Sequence, residues 1–69
     1  MPRSSRERLL RHCDRTIGNI DKAFSHLRNM ELEYSVWKRE LPEELKIITF
    51  MLIAVQEKVH AYAETNLRA

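Results

Sequence analysis

The sequence predicts an all-α fold: a two-helix antiparallel hairpin, helix 1 over about 5–40 and helix 2 over about 42–66, assembling into a dimeric four-helix bundle. Three observations predict it. Glycine occurs once (Gly18) and proline twice (Pro2, Pro42), so turns are scarce, while the abundant Leu, Glu, Arg, Lys and Ala favour helix. Apolar residues recur at alternating steps of three and four in two long runs, the period of a helix face. The stretch IITFMLIAV at 47–55 carries no charge in a chain that is 32% charged, more apolar surface than a single neighbouring helix can cover.

Helix 1 opens on Ser4 and Glu7, whose S-x-x-E spacing fits a capping box that would start the helix at Ser5. Its seam runs through Leu10, Cys13, Ile17, Ile20, Phe24 and Leu27, then steps to Met30, Tyr34, Trp37 and Leu41. Gly18-Asn19 is a soft spot, because glycine in a helix interior is worse than alanine by about 1 kcal/mol. Leu41-Pro42 is the expected stop, since proline drives the residue before it out of the α region. Pro42 then suits the first helical turn of helix 2, and Glu43 and Glu44 suit its positive end. The seam of helix 2 is Leu45, Ile48, Leu52, Val55, Val59 and Tyr62.

The 69 residues make one domain over 1–69, too short to bury a large core unaided. Chains of this size rely on disulfides, metals, well-matched helices or oligomerisation. Cys13 is the only cysteine, which excludes an internal disulfide. It and three scattered histidines show no metal-ligand spacing, so neither metal nor cofactor is expected. His12 and Cys13 are neighbours and diverge on a helix, so they make no nucleophile–base pair. No paired carboxylates, glycine-rich phosphate loop or Ser/His/Asp set appears, and the expectation is a protein without catalysis. The apolar run is bounded by Lys46 and by Gln56-Glu57-Lys58, far short of the roughly 20 residues a membrane span needs. MPRSSRER has no apolar segment after it, so no signal peptide is expected, and the setting reads as cytoplasmic and reducing.

Two surfaces are candidates for function. If the seam of helix 2 packs on helix 1, Ile47, Phe50, Met51, Ile53 and Ala54 are left around its back and flanks. Such a patch usually marks an interface, here with a second copy of the chain or with another protein. A turn at 42 also places Ala69 opposite position 15, so residues 1–14 form a helical overhang in which Leu9, Leu10 and Cys13 need the same cover. The first fifteen residues hold five arginines against two acids. Arg8, Arg11, Arg15 and Lys22 line up as an outward basic stripe that could contact nucleic-acid phosphates, although no aromatic residue interleaves them. The expected function is a small homo-oligomeric interaction or regulatory module. The alternatives are a nucleic-acid-binding helical dimer and a small subunit of a hetero-complex.

Overall fold

A computed structural model describes residues 3–68, and Met1, Pro2 and Ala69 lie outside it. It consists of α1 (Arg3–Val36) and α2 (Glu43–Asn66), packed antiparallel, with no strand among the described residues. The hairpin measures 54 × 15 × 12 Å, a single layer one helix thick.

The start of α1 differs from the expected capping box. The helix is already formed at Arg3, so Ser4 lies inside the first turn, where its carbonyl accepts a 3.4 Å hydrogen bond from Arg8 Nε. Gly18 does not break α1, which runs unbroken through it. A Cβ placed on Gly18 would meet nothing within 4 Å, so neither packing nor backbone geometry requires a glycine there.

The end of α1 lies four residues before the expected one. Lys38 adopts φ 57°, the left-handed region. Its N–H donates to Ser35 O at 3.1 Å, and the Arg39 N–H donates to Tyr34 O at 3.0 Å. These two bonds are the paired closures of a Schellman motif, with Lys38 at the position glycine usually fills. Pro42 is therefore not what stops α1. It precedes α2 in an extended conformation (φ −61°, ψ 143°), and its carbonyl accepts from Leu45 N–H at 3.1 Å. Glu43 and Glu44 occupy the first turn of α2, as the sequence led one to expect.

An earlier turn changes which residues lie opposite each other. Cys13, Ala63 and Leu67 form a buried cluster at the open end, with Leu9, Leu10 and Val59 packed against it. The end of α2 thus reaches back to Leu9, where a turn at 42 would have left everything before position 15 overhanging. Arg68 fastens this end: Nη2 donates to Asp14 Oδ1 at 3.1 Å and Nη1 to Glu64 Oε1 at 3.0 Å. The Glu64 hydrogen bond and the neighbouring Asp14 charge hold its guanidinium still more firmly in the charged form. At the tip, Tyr34 and Trp37 meet edge to face at 5.5 Å, and Leu45 is buried.

Candidate interaction surface

The core of this hairpin is small. Among the described residues only Cys13, Ile20, Leu45, Ala63 and Leu67 are buried hydrophobics. The chain exposes 5709 Å². A compact monomer of 8.3 kDa exposes about 4,600 Å², roughly 1,100 Å² less. Large apolar side chains are exposed on both helices and in the turn, most of them on α2, where Ile47, Ile48, Phe50, Met51, Val55 and Tyr62 are 44–70% exposed.

The face that α2 turns to α1 is not the apolar seam read from the sequence. Leu45, Leu52 and Val59 are shared by both, but the contact continues through Thr49, Gln56 and Ala63, while Ile48, Val55 and Tyr62 are exposed. Polar groups on the inner face are satisfied there. Thr49 Oγ1 donates to Leu45 O at 3.0 Å, as its position in a helix suggests. Gln56 Nε2 donates to Asp21 Oδ1 at 2.9 Å and to Ile17 O at 3.4 Å, joining the helices near mid-length. Counting about 100° per residue from Leu45, the positions that meet α1 centre on 0° and the six seam positions centre about 50° to one side. The sequence marked an apolar stripe, and the fold aims that stripe past α1.

Shallow grooves run along both sides of the helix pair. On the side to which the seam leans, Leu9, Cys13 and Thr16 of α1 face Val55, Val59 and Tyr62 of α2 across an open groove of about 360 Å³. His12 and Lys58 stand at its rim. On the opposite side, Phe24, Leu27, Arg28 and Glu31 face Thr49 and Ile53. Asp14 and Asp21 make their hydrogen bonds to Arg68 and Gln56 on this second, more polar side.

The expected interface residues fall in different places. Ile47, Phe50, Met51, Ile53 and Ala54 are all exposed, but on more than one side of α2: Met51 lies toward the seam, Ile53 lies on the polar side, and Phe50 with Ala54 lies on the outer edge. Leu9 and Leu10 are half-buried and Cys13 is buried, all three covered within the chain by the end of α2. Gln56, Ala63 and Leu67, which organise the helix pair, had no mark in the sequence beyond falling one position off the apolar stripe.

The basic stripe is on the outside of α1. Arg8, Arg11, Arg15 and Lys22 are exposed, and none of them makes an ion pair among the described residues. Two nearby acids of α1, Asp14 and Asp21, are engaged with α2, while a third, Glu7, lies beside Arg8. His26 and His60 are exposed and do not face each other, since Gln56, one helical turn before His60, already reaches Ile17, nine residues before His26. Among the described residues no three His, Cys, Asp or Glu gather where a metal could bind, and no helix is long and apolar enough to cross a membrane. No protein-family model matches the chain, and no curated protein or solved structure matches it significantly.

Proposed function

We propose that this chain is a protein–protein interaction module that works as a homo-oligomer, two hairpins packing into a dimeric four-helix bundle without catalysis. The observation that carries this reading is the exposed apolar surface of α2. A stable interface typically removes about 800 Å² from each partner, and the surplus of roughly 1,100 Å² over a compact monomer is of that size. A two-helix layer cannot by itself cover an apolar helix on a second side, and closed two-fold dimers are the commonest solution. A cytoplasmic setting belongs to the same reading, since the lone Cys13 is buried and free.

Sedimentation equilibrium across the micromolar range tests it. The expected result is a concentration-dependent dimer whose helicity falls on dilution. A monomer that stays folded through that range refutes the proposal, and a chain that is soluble only beside another protein favours a hetero-complex.

A second reading, a helical dimer that binds nucleic acid, is favoured by one observation: beside the stripe of Arg8, Arg11, Arg15 and Lys22, two acids, Asp14 and Asp21, are drawn off toward α2. Binding of duplex DNA or RNA at low salt that weakens when Arg11, Arg15 and Lys22 are changed together to Ala would support it. Absence of binding at low salt removes it.

A further inference from the structure

We infer that the second copy seats on one particular side of the hairpin, the side that carries the groove between Leu9 and Tyr62, and not on the outer edge of α2 around Phe50. This rests on the self-association proposed above and specifies its surface.

The argument starts from the 50° offset. In a square four-helix bundle each helix meets two neighbours about 90° apart, so its apolar seam points between them, about 45° from each. In α2 one neighbour is known, α1. The seam leans about 50° from the α1 contact line, which puts the missing neighbour on the side of Ile48, Val55 and Tyr62. These three are spaced by seven, with Met51 beside them, and are 44–63% exposed.

Charge makes the same choice independently. About 90° from the α1 contact on the other side, α2 presents Lys46, Glu57 and Glu64 around Ile53. A partner helix there would strip water from Glu57 and from the exposed pairs Lys46–Glu43 and Arg68–Glu64. On the seam side α2 offers two charges, Glu44 in its first turn at the hairpin tip and Lys58, whose long stem lets the ammonium reach the rim.

α1 repeats the pattern. Leu9, Thr16, Ala23 and Met30, again spaced by seven, flank its contact with α2 on the groove side, and none is charged. Asp14, Asp21 and Arg28 occupy the opposite flank. The hairpin therefore has one broad face almost free of charge and one that carries its polar links. Stacking two such faces about a two-fold axis closes the bundle and leaves Phe50 and Ala54 on its outer edge.

The test measures dimer dissociation constants by sedimentation equilibrium for the full chain and four variants. Val55→Glu and Ile48→Glu each place one carboxylate per protomer in the inferred contact and should raise the constant by at least about a hundredfold. Ile53→Glu and Phe50→Glu should leave it within about threefold, as surface changes do. A variant that fails to fold is covered by a second measurement. In a Cys13→Ala chain, Val55→Cys should react with a maleimide roughly tenfold more slowly than Phe50→Cys at dimer-forming concentration, and the difference should vanish on dilution. Weakening by Ile53→Glu or Phe50→Glu equal to that by Val55→Glu overturns the choice of face, as does equal labelling of the two cysteines, while self-association survives either result. A wild-type chain that remains monomeric removes self-association itself.

Discussion

Gly18→Ala should make the protein more stable, and its size can be worked out in advance. Gly18 is in the middle of a 34-residue helix with ordinary helical backbone. The added methyl would meet no atom within 4 Å, so there is no steric charge against it. Gly18 also lies on the outer side of α1, away from α2 and from the inferred partner face. What remains is intrinsic preference: alanine is favoured over glycine in a helix interior by about 0.8–1.0 kcal/mol, chiefly because the unfolded chain loses freedom. In a domain of this length 1 kcal/mol raises the melting temperature by roughly 4–8 °C. Urea and thermal unfolding followed by far-UV circular dichroism, at one fixed protein concentration, would read the change. The midpoint should rise with the urea dependence unaltered. An unchanged or lowered midpoint would refute the reasoning, because it would mean that something occupies the space beside Gly18 or that α1 bends there.

Two other substitutions probe the ends of the hairpin. Lys38→Gly should stabilise the turn by a few tenths to about 1 kcal/mol, since left-handed backbone costs a side-chain-bearing residue about 1–2 kcal/mol and glycine's extra unfolded-state entropy returns part of that. Lys38→Val should lower the unfolding midpoint in the same urea titration. Ala63→Leu should destabilise by about 1–3 kcal/mol, because Ala63 is 2% exposed against Cys13 and Leu67, and a larger side chain there must wedge the helices apart. A neutral Ala63→Leu would show that the open end is looser than the buried cluster implies.

Much of the architecture was legible in the sequence because it follows from composition and period. Scarce glycine and proline forced long helices, Pro42 with Glu43 and Glu44 marked the start of α2, and Thr49 announced its bond to the Leu45 carbonyl. The end of α1 was not legible. A Schellman closure is made by backbone groups, and a lysine gives no sign that it will take the left-handed conformation, since lysine favours helix wherever packing allows it. That misplacement carried through to the register, and so to the supposed overhang at Leu9, Leu10 and Cys13. The inner face of α2 was hidden for a different reason. The apolar stripe of α2 is centred about 50° from the line along which α2 meets α1, so its period does not mark that contact. Gln56 and Ala63 meet α1 as a hydrogen-bonded amide and a small side chain, and neither raises the apolar signal.

The turn at 37–42 also governs how the chain can be cut. Of its twelve lysines and arginines, those among the described residues lie in helices except Lys38, Arg39 and, at the far edge, Arg68. Helical backbone must unwind before it threads a protease cleft, so trypsin meets its first easy bond at Lys38 or Arg39. A nick there severs no contact between the helices and leaves two peptides held by their shared face. They are unequal halves: the α1 piece is polar over most of its circumference, whereas the α2 piece, if it came away, would expose apolar side chains almost all round. The covalent link does more than set the angle of a hairpin. It keeps the more apolar helix in the permanent company of the more polar one.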